Sequence, residues 1–271
     1  MSLLPQWVQV ALPVIGMVHL RALPGSPRYD GDLDSVTRAA IEDATALCEG
    51  GVDGLIIENF GDAPFYPRNV PPHVISHMTA ITVRLCDALP AAHSTTPIGI
   101  NVLRNDGCAA MSIAHAVGAE FVRINVLCGA RVADQGVIEG IAHEVLRLRE
   151  TLGAQNVRVI ADVDVKHSSA LSIMPIEYEA HDAVRRGLAD GVIVSGCGTG
   201  RPVDAAHVRR VKDAVGDTPV FIGSGVTADT IGTLRGVADG VIVGTALKCD
   251  GVTSSAVDVV RVRELVATAR G

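Results

Sequence analysis

The densest chemistry in this 271-residue sequence lies in the run A-D-V-D-V-K-H at 161–167. Valines alternate there with Asp162, Asp164 and Lys166. In an extended strand that alternation puts the three polar side chains on one face. Carboxylates crowded beside a lysine shift one another's pKa, which is what general acid–base chemistry requires. They are also hard oxygen ligands for Mg²⁺, which needs only one or two carboxylates plus a substrate phosphate. Against these stands a structural ion pair with Arg123 or Lys166. A buried lysine can also lose its charge and form a Schiff base, but with two aspartates adjacent a charged partner is the plainer role for Lys166.

A second pattern lies near the C-terminus. The segment from Val220 reads V-F-I-G-S-G-V-T-A-D, and the next aliphatic run ends in Gly244-Thr245. Gly223, Ser224 and Gly225 let the backbone approach an anion with no Cβ in the way. Unpaired N–H groups at the start of the following helix would then face phosphate oxygens. The plain alternative is that these glycines only make tight turns. Their place on two consecutive strands, the last of the chain, favours a phosphate site.

The elements that must position these residues are regular. Eight short aliphatic runs read as strands, at about 14–19, 53–59, 98–103, 121–127, 157–164, 190–195, 219–223 and 239–243. Helical spacing fills 34–48, 72–89, 132–152, 176–186, 204–215 and 255–269. Alternating strands and helices predict a parallel sheet with crossover helices. The count of eight, with no extra strands, predicts one (β/α)₈ TIM barrel over residues 1–271. The near-repeats V-D-G-L-I-I (52–57) and A-D-G-V-I-V (189–194 and 238–243) suit equivalent positions in a symmetric array. An open doubly wound sheet is the alternative.

In a barrel, the inward residues at the C-terminal strand ends line the active site. Reading each strand in register puts His19, Glu58, Asn101, Arg123, Asn125, Asp162, Asp164, Lys166 and Ser195 there. Glu58 and the two aspartates are candidate acids or bases. His19 is either catalytic or held by its own loop. Asn101, Arg123, Asn125, Ser195 and Gly196 are candidate substrate ligands. The glycine-rich loop after Ser195, which holds Gly196 and Cys197, would extend the phosphate cradle or close over it. The loop from Asn59 to Pro72 carries Phe60, Phe65 and Tyr66, which suggests an apolar lid or a subunit contact.

Composition removes other classes. The net charge is −7, with no cluster of Lys and Arg, which disfavours nucleic acid as a partner. No apolar run approaches the roughly 20 residues of a membrane span, and the N-terminus lacks a basic signal-peptide region. The six scattered cysteines read as thiols. A cytoplasmic protein is expected.

Four segments carry a family resemblance: G-M-V-H-L-x-A-L-P-G-S-P, G-G-V-D-G-L-I-I-E-N-F-G-D-A-P-F, G-I-N-V-L-R-N-D and A-D-V-x-V-K-H-S. Together they resemble the BtpA/SgcQ family over about residues 13–267. The resemblance implies a barrel of the ribulose-phosphate-binding type. It implies two unlike contexts, photosystem I accumulation in cyanobacteria and a bacterial sugar-utilisation gene cluster. The expected activity is acid–base chemistry of isomerase or lyase type on a phosphorylated sugar or related metabolite, by a homo-oligomer. The alternatives are a Mg²⁺-dependent hydrolase of a phosphorylated or nucleotide-linked substrate, and a non-enzymatic photosystem I assembly factor.

Overall fold

The computed structural model describes residues 2–172, 174–195 and 204–271. Eight parallel strands close into a barrel: β1 (Val14–His19), β2 (Gly54–Glu58), β3 (Ile98–Asn101), β4 (Phe121–Ile124), β5 (Arg158–Val163), β6 (Gly191–Val194), β7 (Val220–Ile222) and β8 (Gly240–Val243). Each pairs with the next in sequence, and β8 closes the ring on β1. Helices α1 (Leu33–Gly50), α2 (Pro72–Ala88), α3 (Gly107–Val117), α4 (Ala142–Thr151), α5 (Ile176–Arg185), α6 (Ala205–Val215), α7 (Ala228–Ile231) and α8 (Val259–Arg270) connect them. Aspartates start four of these helices. The carboxylates of Asp32, Asp106, Asp204 and Asp258 each accept a backbone N–H of the first turn, satisfying a donor that the helix cannot.

The repeated D-G opening of the strands has a structural cause. The N–H of Asp53 donates to Val14 O (2.8 Å) while its carboxylate accepts the N–H of Val14 (2.9 Å). Asp190 makes the same exchange with Val159, and Asp239 with Val220. Each thus staples the N-terminal end of its strand to the neighbour. The carboxylates are in turn paired with Arg270, Arg149 and Lys212. The glycine that follows faces the barrel floor. A Cβ on Gly54 would meet Trp7 at 2.9 Å, and one on Gly240 would meet the Phe221 ring at 2.5 Å.

The N-terminal segment plugs that floor. Trp7 is buried, donates its indole N–H to Asp53 O at 2.7 Å, and meets the edges of Phe121 and Phe221 with ring centroids 5.8 and 6.1 Å apart. Above it Met17, Ile56, Ile160, Ile193 and Ile242 fill the middle of the barrel. The interior is therefore a packed core, and only the layer above the isoleucines is polar. A separate aliphatic layer packs the helices on the outside of the strands.

The structure corrects two expectations. The segment 132–152 is not one helix: Ala130–Ala133 and Gly136–Glu139 form an antiparallel hairpin, and α4 starts only at Ala142. Gly136, at φ +96°, makes the turn. Val132 and Val137 stay exposed, while Ile138 packs on Val126 and Val165. The barrel also carries extra strands, since Ser168–Ala170 adds antiparallel to Ala130–Ala133 and makes a three-stranded flap outside the ring.

Candidate functional site

A cavity of about 540 Å³ opens at the C-terminal mouth of the barrel. Of the residues expected there, His19, Glu58, Arg123, Asn125, Lys166, Gly223, Ser224, Gly225, Gly244 and Thr245 line it. Both glycine segments therefore face the same space as the ionisable groups.

Arg123 is the centre of the polar layer. It projects inward from β4 and is buried. Its Nε donates to Asp162 Oδ1 and its Nη2 to Asp162 Oδ2, each at 3.0 Å. Asn125 Nδ2 adds a third bond to Asp162, at 2.8 Å. Asn101 Nδ2 then donates to Arg123 O (3.0 Å) and Asn125 Oδ1 (3.2 Å). Asp162 and Asn101 thus lie behind the cavity wall and hold the residues that face it. A bidentate carboxylate fixes the guanidinium plane.

Glu58 closes β2 beside His19, with Glu58 Oε1 3.8 Å from His19 Nε2. Phe60 stacks on the imidazole at 4.6 Å, and glycine at 244 gives it room, because a Cβ there would stand 2.8 Å from His19 Cε1. Burial, reinforced by the charges of Lys248, Arg123 and Lys166, lowers the His19 pKa to about 3, so the imidazole is neutral at physiological pH. Burial pushes the Glu58 carboxyl up, against the pull of Arg123. Burial and then Arg123 bring the Lys166 ammonium down to about 8. The cavity thus holds a neutral imidazole, a carboxyl that protonates readily and a lysine that deprotonates readily, the equipment for moving a proton.

Strand register fails at Asp164. The residue sits at φ +51°, just past the end of β5. Its half-exposed side chain turns away from the cavity to accept a bond from Arg131 Nη2 at 2.7 Å. Arg131 also binds Glu179 and Ser168, tying the flap to the β5 loop. Asp162 and Asp164 therefore do not converge on one Mg²⁺, and no group of three or more metal-ligating side chains occurs among the described residues. Lys166 comes back to the cavity beyond this turn, where Nζ donates to Gly223 O at 3.1 Å.

Part of the glycine pattern has a packing cause. A Cβ on Gly223 would meet Ile193 at 2.5 Å and Ser195 Oγ at 3.1 Å. Gly225 sits at φ +68° in the turn, which favours glycine. Ser195 is buried beneath the loop, and its Oγ has no partner among the described residues. Gly196 and Cys197 lie outside the described residues. The sequence reading missed Arg104, Thr253 and Arg261, which also line the cavity. Arg104 and Thr253 lie in loops past their strand ends, where alternation no longer reports direction, and Arg261 lies in the first turn of α8.

The sequence pattern of the BtpA family matches residues 10–271. A photosystem I biogenesis protein of Synechocystis is 48% identical over 96% of this chain and 89% of its own. An uncharacterised protein of Thermococcus kodakarensis is 46% identical over 95% of both chains. Solved barrels resemble it in fold alone: tryptophan synthase of Mycobacterium tuberculosis has a TM-score of 0.62 at 19% identity, over 96% of this chain and 93% of that one. Phosphoribosyl anthranilate isomerase of Thermus thermophilus has 0.55 at 11%, over 95% and 98%. No helix among the described residues is long and apolar enough to cross a membrane. With its family pattern matched over nearly the whole length, the chain belongs to the BtpA family.

Proposed function

We propose that this barrel is an enzyme that binds a phosphorylated small metabolite, such as a sugar phosphate, and acts on it by acid–base chemistry as an isomerase or lyase. One observation carries the reading: the glycine segments after β7 and β8 share a single cavity with Glu58, His19, Arg123 and Lys166. The loops after the last two barrel strands are the usual phosphate site of this architecture. Gly223, Ser224, Gly225, Gly244 and Thr245 would hold the phosphate. Glu58 exchanges the proton, neutral His19 relays or donates it, and Arg123 with Asn125 orients the substrate. Lys166 either balances phosphate charge or forms an imine. Phe60 and Tyr66, 40% and 49% exposed in the β2 loop, suit the subunit contact of a cytoplasmic homo-oligomer.

The test is a thermal-shift screen of sugar phosphates, nucleotides and inorganic phosphate, with and without Mg²⁺. A ligand at 100 times its Kd adds about 2.7 kcal/mol to stability. The hit should weaken in Gly225→Asn, whose side chain crowds the anion, and vanish in Gly225→Asp, which adds a like charge as well; both residues tolerate the left-handed backbone. Borohydride trapping of Lys166 with the hit selects the lyase. No shift from any phosphorylated compound would sink the reading.

The Synechocystis relative, named for photosystem I biogenesis, favours one second reading, an assembly factor without catalysis. If this chain replaces that relative in cells equally well as wild type and as Glu58→Gln, the assembly reading gains.

A further inference from the structure

Resting on the phosphate reading above, a second feature of the same cavity narrows the substrate. In the closed ring, β3 and β4 stand four strands away from β7 and β8, diametrically across the mouth from the phosphate loops. Two arginines come from that side, but the Arg123 guanidinium reaches back toward β7, where a Cβ on Gly223 would stand 3.8 Å from its Nη2. Arg123, on β4, is locked by Asp162 along one edge and lines the cavity. Arg104, just past β3, is pinned at both ends: its N–H donates to Tyr66 O at 3.0 Å and its Nη2 to Lys166 O at 2.6 Å.

Arg104 lines the cavity, is half-buried, and forms no ion pair among the described residues. Burial already works against its charge. Its guanidinium donates to a carbonyl, while Asp162, Asp134 and Glu58 favour its charge from a distance without forming an ion pair with it. A guanidinium desolvated and held in place without a carboxylate partner is the group a bound anion would satisfy. The cavity wall itself offers little competition, because Glu58 is the one carboxylate among its described lining residues.

We propose that the substrate carries a carboxylate in addition to its phosphate, and that Arg104 binds it across the mouth from Gly225 and Thr245. The substrate class is a phosphorylated sugar acid or a comparable phosphorylated carboxylate. The phosphate anchors one end, beside Arg123 and His19, and Arg104 holds the other end.

Matched ligands test this by titration calorimetry on the full chain. 6-Phosphogluconate and glucitol 6-phosphate differ only in a carboxylate against a hydroxymethyl group; 3-phosphoglycerate and glycerol 3-phosphate form the shorter pair. The acid is expected to bind at least about tenfold tighter than the alcohol in one pair. Arg104→Met should reduce that preference to under about threefold and leave the affinity for the alcohol unchanged. Arg104→Lys, which keeps the charge, should retain most of it. Equal binding of acid and alcohol in both pairs overturns the carboxylate and leaves the phosphate site standing; a preference that survives Arg104→Met overturns the assignment of the carboxylate to Arg104. If none of the four compounds binds, the phosphate reading falls and this inference falls with it.

Discussion

Arg123 and Asp162 meet edge to edge across β4 and β5, with Nε to Oδ1 and Nη2 to Oδ2 both at 3.0 Å. The Asp162 side chain is wholly buried, and that of Arg123 is 10% exposed. Removing one partner leaves the other charge buried and unmatched, which costs about 3–5 kcal/mol, whereas replacing both with apolar groups of similar volume is often close to neutral. Asp162→Ala should therefore lower stability in urea by about 3–5 kcal/mol, and the double variant Arg123→Met/Asp162→Leu should recover most of that. A cost under about 1 kcal/mol for Asp162→Ala would show that the pair does not organise the mouth. The double variant should fold and still fail to bind ligand, since the guanidinium is gone.

Glu58 should show the opposite balance of stability and function. It is 6% exposed, and burial raises its pKa above the ordinary carboxylate value, Arg123 opposing. A group whose folded pKa is raised lends stability below its unfolded pKa, and loses it as pH rises through the folded value. Glu58→Gln is therefore expected to match wild type near pH 4 and to exceed it by about 0.5–2 kcal/mol at pH 7.5, the usual yield of relieving a functional site. On the substrate that the ligand screen identifies, kcat should fall by about 10²–10⁴, the range for losing a general acid or base. A variant that is less stable than wild type at pH 7.5 would mean that the carboxylate is a structural ion-pair partner.

The barrel was legible because burial writes itself into strands. The inward series His19, Glu58, Arg123 and Asn125 follows from counting twos along aliphatic runs, and it ends in one cavity. The D-G repeats were visible as repeats, but their cause was not. The exchange between Asp190 and Val159 joins residues 31 positions apart, and no local pattern encodes it. Counting failed where strands stop. Asp164 takes a positive φ and leaves the face that Asp162 occupies; Arg104 enters the cavity from a loop with no periodicity to read. The flap was hidden because 132–152 is apolar at intervals compatible with a helix. The deciding signal was the Asp134-Gln135-Gly136 turn.

The barrel floor makes a prediction independent of function. A Cβ on Gly99 would stand 2.1 Å from Cε2 of Phe121, and Trp7 packs against that ring from below. The ring is wholly buried. Overpacking of this kind costs about 1–3 kcal/mol, so Gly99→Ala should lower the midpoint of urea unfolding accordingly. Adding Phe121→Leu, which shortens the clashing side chain, should make the glycine change nearly neutral in that background. A double-mutant cycle reads this as a coupling of about 1 kcal/mol or more. Strict additivity would mean that Gly99 serves another contact.

His19 links the site to acid stability. Its folded pKa is lowered to about 3 by burial first, then by Lys248, Arg123 and Lys166, against 6.5 for an unperturbed imidazole. Below pH 6.5 the unfolded chain takes up a proton that the folded imidazole does not. A depressed folded pKa therefore means stability present above 6.5 and progressively lost as pH falls toward 3, by up to about 1.4 kcal/mol per pH unit. The raised Glu58 pKa works in the other direction over part of this range, so the wild-type curve alone does not isolate the histidine. The difference between wild type and His19→Gln does, because Glu58 is present in both. The two curves should run parallel above pH 7 and diverge below 6.5, with wild type losing stability faster. The imidazole would then stay neutral throughout the physiological range, able to donate or accept a hydrogen bond beside Glu58 without adding charge. Curves parallel down to pH 4 would mean that His19 titrates as it does in water, and the neutral-imidazole role would be withdrawn.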